Sequence, residues 1–200
     1  MNTQPDSLER LRKFVCGDMS VPDFEEMLYH EPEIETLLSA ERAPQYCHSG
    51  TTVYHYLIAL DYNDPGDVLN AQGALIEVLS RHGVAVKPSS VPLDEYNLLL
   101  LAQPSWLDAD SRYLAELLAK APQGLGEKRK EWLQKKILEV FRFVRQPPEW
   151  LQSPSWPIGK SGPLVFLGQF DLDGYFHDTA TVYVFHDPAT GVCETLIQVA

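Results

Sequence analysis

Apolar positions recur three and four residues apart through the first three-quarters of the chain, and strict alternation replaces that spacing only near the end. Leu8, Leu11, Phe14 and Val15 share one helical face, with Asp6 or Ser7 placed to cap the helix and Gly17 placed to stop it. Ser20-Val21-Pro22-Asp23 opens a second helix with a capping hydroxyl, an early proline and an acid three residues on. Val21, Phe24 and Leu28 fall on its apolar face, which turns Asp23, Glu25 and Glu26 toward water. A third helix begins near Pro32 and buries Ile34, Leu37 and Leu38. Between Thr51 and Asp61 the pattern reads two ways. Val53, Tyr56, Leu57 and Leu60 keep helical spacing while Thr-Thr-Val-Tyr suits a strand, and helix is the reading adopted. Asn63 to Gly66 reads as a turn, followed by helices over 68–81 (ended by Gly83), 92–102 and 109–120. Past the Pro122 to Gly126 break, the spacing predicts a long helix over 127–145. Leu133, Ile137, Val140, Phe141 and Val144 form its apolar stripe.

The pattern then changes. Pro147-Pro148 ends the helix, residues 150–162 read as loop, and strands are expected over 164–170, 179–186 and 193–199. The turn formers Asp187, Pro188 and Gly191 join the last two strands, and Val182 and Val184 alternate with Thr181, Tyr183 and Phe185, as an antiparallel pair requires. The expected fold class is α+β: an N-terminal helical bundle followed by a small C-terminal antiparallel sheet packed on the last long helix. Residues 1–146 form the mainly helical region and 147–200 the β region, packed together as one unit.

Charge adds a second layer. The 200 residues carry 28 acids and 16 bases, a formal net charge of −12. Residues 1–120 hold 19 acids and 8 bases, 121–145 hold 3 and 7, and 146–200 hold 6 and 1. Direct nucleic-acid binding needs clustered Lys and Arg, so this balance argues against it and favours a basic protein partner. Residues 18–41 concentrate eight acids with no Lys or Arg. A solvated face and a partner surface both fit such a run. The partner-binding candidates within it are Asp18, Asp23, Glu25, Glu26, Glu33 and Glu35. Five bases between Lys128 and Lys136 read as a solvated helix face.

Catalytic and metal motifs are incomplete. Cys47-His48 with His55 lacks the spacing and ligand number of a zinc site. Cys16 and Cys193 read as packing residues rather than nucleophiles. Gly159-Lys160-Ser161 resembles the end of a phosphate loop, but Pro154 stands where the first glycine is required. Asp171-Leu-Asp173-Gly174 with Asp178 has no distal glutamate to complete a calcium loop. The expectation is therefore no catalytic, cofactor-binding or metal-ligating residues, and no cofactor. The longest apolar run, Leu98 to Ala102, is far short of the ~20 residues of a membrane helix, so no membrane partner is expected. Three separated cysteines read as reduced thiols, and the first six residues lack signal-peptide character, which together predict a cytoplasmic location.

Two stretches resemble known bacterial families. Residues 148–200 resemble the C-terminal part of YwqG-like domains, through Pro163-Leu-Val-Phe-Leu-Gly-Gln-Phe-Asp171, Tyr183-Val-Phe-His-Asp187 and Glu194-Thr-Leu-Ile-Gln-Val199. The upstream Trp150-Leu-Gln-Ser-Pro-Ser-Trp-Pro157 fits the same style. Residues 8–40, with Leu11-Arg-Lys-Phe14, Gly17 and Ser20-Val-Pro-Asp-Phe-Glu-Glu26, resemble the start of immunity proteins from contact-dependent and polymorphic-toxin systems. Neither resemblance carries a catalytic motif onto this chain. The second implies an inhibitor that binds a cognate toxin's effector domain and blocks it by steric and electrostatic occlusion. A non-enzymatic adaptor of YwqG-like character is the alternative.

Overall fold

A computed structural model describes residues 4–43, 52–172, 174 and 178–200. Among these, the helices are α1 (Gln4–Cys16), α2 (Val21–His30), α3 (Pro32–Ser39), α4 (Val53–Ile58), α5 (Pro65–Arg81), α6 (Val91–Ala102), α7 (Ser111–Leu118) and α8 (Arg129–Val140). The strands are β1 (Ile158–Gly159), β2 (Gly162–Pro163), β3 (Val165–Asp171), β4 (Ala180–His186) and β5 (Cys193–Val199). Helices precede strands along the chain, so the fold is α+β. None of the described helices is long and apolar enough to cross a membrane.

The helix starts follow from local chemistry. Ser20 accepts the Asp23 N–H, Thr52 accepts the His55 N–H and Asp64 accepts the Gly66 N–H, each meeting a donor that has no partner inside its helix. Within the ambiguous Thr51–Asp61 segment, Val53–Ile58 is helix with Val53, Tyr56 and Leu57 buried, and Thr51 lies outside the described residues. The expected turn at Asn63 to Gly66 holds at Asn63 and Asp64, while Pro65 and Gly66 already belong to α5. Pro65 occupies the first helical position, where its missing N–H costs nothing, and Asp64 is the cap.

The chain divides into two compact units, Met1–Asn97 and Leu98–Ala200, and the division falls within α6. The compositional break near residue 147 lies inside the second unit. Each unit has its own core. The first gathers Leu11, Phe14, Phe24, Leu38, Leu57 and Leu75 from α1 to α5, with Phe14 and Phe24 stacked at 3.9 Å between ring centroids. The second gathers Leu114, Leu133, Ile137, Phe141, Trp156, Phe166, Tyr183 and Phe185.

In the second unit β3, β4 and β5 form an antiparallel sheet in that order, with a bulge between Phe166 and Gly168. Trp156 stands between α8 and this sheet. Its ring centroid lies 5.6 Å from Phe141, 6.2 Å from Phe166 and 5.4 Å from Phe185, and its indole N–H donates to Leu164 O at 2.8 Å.

Two expectations are corrected here. The helix expected over 127–145 ends at Val140, after a 3-10 turn at Gly126–Lys128 leads into it. Phe141 leaves helical geometry at φ −89, ψ 82. The following residues run beside β3, with Phe166 N–H donating to Arg142 O and Val144 N–H donating to Phe166 O. Leu133, Ile137 and Phe141 are buried as the stripe predicts, but Val144 is 63% exposed. The segment 150–162, expected as loop, contains the β1–β2 hairpin. Just before that hairpin, residues 149–153 are strapped to the sheet by one side chain from each strand. Gln169 bonds both the N–H and C=O of Glu149, Tyr183 bonds Leu151 N–H and Glu149 O, and Gln198 bonds Gln152 N–H and Ser153 O.

Deleting residues 163–200 removes Leu164, Phe166, Tyr183 and Phe185 from the second core. At ~1.5–3 kcal/mol per buried side chain, that loss rivals a domain's whole margin of ~5–15 kcal/mol. We expect amides in 98–162 to lose hydrogen-exchange protection while those of α1 to α5 keep theirs. Equal protection loss in both regions would show that the two cores depend on one another.

Candidate functional site

The site begins where α1 stops. Gly17 adopts φ +84, so Asp18 N–H donates to Lys13 O at 2.8 Å and Gly17 N–H to Phe14 O at 3.0 Å, closing the helix by a Schellman pair. That closure leaves the Val15 carbonyl without a partner inside α1. Ser89 N–H and Gln72 Nε2 both donate to it at 2.9 Å, and Gln72 Nε2 also donates to Ser89 O at 3.2 Å. Gln72 lies on the buried side of α5 with Val68, Ala71 and Leu75. Its amide therefore fixes α1, α5 and the segment entering α6 at one point.

Beside this point opens a cavity of about 210 Å³, lined by Phe14, Gly17, Met19, Val21, Val68, Gln72 and neighbouring residues of 89–92. Val91 stands on its rim, 67% exposed. Gln72 itself is 6% exposed, and its carbonyl Oε1 receives no hydrogen bond from a described residue. The lining is otherwise predominantly apolar.

From Val21 a stripe runs along α2 through Glu25 to Tyr29, at the four-residue spacing of one helix face. Val21 and Glu25 are half-buried and Tyr29 is 48% exposed, its hydroxyl 3.5 Å from Ile58 O. Tyr54 belongs to α4, the helix whose Ile58 carbonyl the Tyr29 hydroxyl approaches. Partial burial, then the nearby Glu35 carboxylate and Tyr29, push the Tyr54 phenol above its ordinary range. Tyr62, buried beneath, is pushed up more strongly, mainly by burial, with Tyr29, Glu25 and Asp67 adding to it.

The eight acids of residues 18–41 separate into two classes. Glu31 pairs with Arg10 of α1, and Glu41 bonds Arg81 at 3.1 Å and His82 at 2.9 Å. Bases from outside the run thus neutralise these two. The candidates Asp18, Asp23, Glu25, Glu26, Glu33 and Glu35 form no ion pair among the described residues, and all but the half-buried Glu25 are exposed. Asp23 has a structural task as well, since it accepts the Ser20 hydroxyl at 2.6 Å in the α2 cap. Residues 1–97 hold 16 acids and 6 bases, against 12 and 10 in 98–200, so nearly all the excess negative charge belongs to the first unit.

The remaining sequence candidates take other roles. Cys47 and His48 lie outside the described residues, and His55 Nδ1 is 2.8 Å from its cap Thr52. Among the described residues no three His, Cys, Asp or Glu side chains converge as a metal site would require. Cys16 Sγ is 3.7 Å from the Arg12 guanidinium, and Cys193 is exposed on β5. Lys160-Ser161 forms the tip of the β1–β2 hairpin. Asp171 accepts the Thr181 hydroxyl across the β3–β4 pair at 2.8 Å, while Asp173 is outside the described residues. Lys136 pairs with Glu139 on α8 at 2.7 Å.

Gln72, Tyr29, Tyr54 and Val91 escaped the sequence reading. Gln72 carried one signal, a polar side chain within an otherwise apolar helical stripe, which calls for specific hydrogen-bond partners.

A methyl group on Gly17 would lie 3.0 Å from both Cβ and Oγ of Ser89 at a φ unfavourable to other residues, whereas one on Gly83 (φ +73) meets nothing within 4 Å. Gly17→Ala should therefore destabilise the first unit by more than the ~1–2 kcal/mol of left-handed backbone strain, and Gly83→Ala by that strain alone. Denaturant midpoints of the two variants test this, and equal losses would remove the Ser89 contact as a constraint. Comparison of the chain with protein-family models, with curated proteins and with solved structures finds no match.

Proposed function

We propose that this chain is a cytoplasmic immunity-type inhibitor, a non-enzymatic protein that binds a basic effector domain of a cognate bacterial toxin and blocks it. The observation that carries the reading is the state of the six acids on and beside α2 and α3. Among the described residues the fold supplies bases to Glu31 and Glu41 and none to Asp18, Asp23, Glu25, Glu26, Glu33 or Glu35. Unneutralised like charges on one unit repel each other, and a basic partner relieves that repulsion. The residues that resemble immunity proteins build this face. Leu11 and Phe14 enter the core beneath it, Gly17 closes α1, and Ser20 starts α2.

Electrostatic attraction of this kind acts chiefly on encounter rate. In the combined variant Asp18→Lys, Glu26→Lys, Glu33→Lys, association with the cognate toxin domain should slow by about tenfold or more at low salt. Asp23 is kept because it completes the α2 cap. The difference should shrink near 1 M salt, where the screening length falls to ~3 Å. Stopped-flow kinetics across a salt series, with circular dichroism confirming unchanged helicity, makes the measurement. Unaltered association at low salt would assign the acids to solubility. Expression of the chain should also protect cells against one specific toxin and leave unrelated toxins lethal.

A further inference from the structure

The cavity beside Gly17 and the stripe along α2 share Val21, and the stripe has a measurable repeat. Val21 lines the cavity, Glu25 follows one turn along, and Tyr29 follows a further turn along, its hydroxyl 3.5 Å from Ile58 O of α4, the helix that carries Tyr54. At 1.5 Å rise per residue these stations lie about 6 Å and about 12 Å from Val21. An extended chain advances ~3.3 Å per residue and turns every second side chain to the same side. Its residues i, i+2 and i+4 therefore match the three stations. The first station is apolar, and at about 210 Å³ it is below the ~300 Å³ typical of small-molecule pockets, so it suits a single side chain. The second is a carboxylate. The third is the exposed Tyr29 phenol ring, whose face suits a guanidinium or ammonium group, with the Glu35 carboxylate adding to the negative field acting on α4.

From this match we infer that the surface takes an extended segment of a partner protein with the pattern apolar-x-basic-x-basic, in either chain direction. The apolar side chain fills the cavity, one basic side chain meets Glu25, and the other meets the Tyr29 ring. Gln72 Oε1, without a donor of its own, offers an acceptor to an N–H of the segment near the anchor. The inference rests on the protein-binding reading above and narrows its partner to a linear motif.

The test selects short random displayed peptides on the full-length chain at ~0.1 M salt, where the screening length is ~10 Å. The pattern apolar-x-basic-x-basic should be enriched. In a synthetic peptide carrying it, replacing the apolar residue by Ser should weaken binding by about ten- to a hundredfold. Val91→Arg, an exposed rim substitution, should abolish the preference for an apolar residue. Glu25→Lys should erase the preference at the first basic position and leave the apolar preference intact. Enrichment of basic residues without the fixed apolar position, selection unchanged by Val91→Arg, or no enrichment would each overturn the inference. Cells protected against a toxin, together with an unpatterned selection, would discard the linear motif and keep the inhibitor reading. Patterned selection with no toxin neutralised would do the reverse.

Discussion

The carbonyl of Val15 is the fixed point of the first unit. Helix α1 must end there because Gly17 turns the chain, and a helix end buried among apolar residues needs partners for its last carbonyls. Gln72 and Ser89 supply them from α5 and from the segment entering α6. Everything on the proposed binding face follows from that junction. Gln72 forms part of the cavity wall, Ser89 confines Gly17, and the direction in which α2 departs places Val21, Glu25 and Tyr29 on one line. A buried polar side chain thereby sets the geometry of an apolar recess, because its unmet hydrogen bonds would cost more than its packing contributes.

The second unit solves its own assembly with aromatic rings and a strap. Trp156 fills the space among Phe141, Phe166 and Phe185, and its indole N–H is satisfied by Leu164 O. Around it, Gln169, Tyr183 and Gln198 hold the irregular backbone of 149–153 through side-chain hydrogen bonds, one side chain from each strand. The strap and the rings cover the face that carries Tyr183 and Phe185, whereas Phe170 of β3 and Ile197 of β5 stay exposed.

Much of the local structure was legible because caps and periodicity are local. Ser20-Val-Pro-Asp fixed the start of α2, Gly17 marked the end of α1, and alternation located β4 and β5. Features that depend on distant residues were not legible. Val140 to Val144 keep helical spacing, yet pairing with Phe166 draws the chain out of the helix after Val140. Nothing in the run 18–41 distinguishes Glu31 from Glu33, and only the position of Arg10 on α1 makes one of them a bonded group. The acidic candidates were visible as composition. The cavity was not, since Gly17, Val68 and Val91 meet only in the folded unit.

The four tryptophans, Trp106, Trp132, Trp150 and Trp156, all belong to the second unit, while the face along α2 carries tyrosine alone. The protein is thus optically divided. Tryptophan emission reports on the core around Trp156, and none of it originates within α1 to α5. A partner seated beside Tyr29 would alter tyrosine absorbance or accept tyrosine excitation into its own chromophores. The direct intrinsic probe of that face is therefore tyrosine rather than this chain's tryptophans.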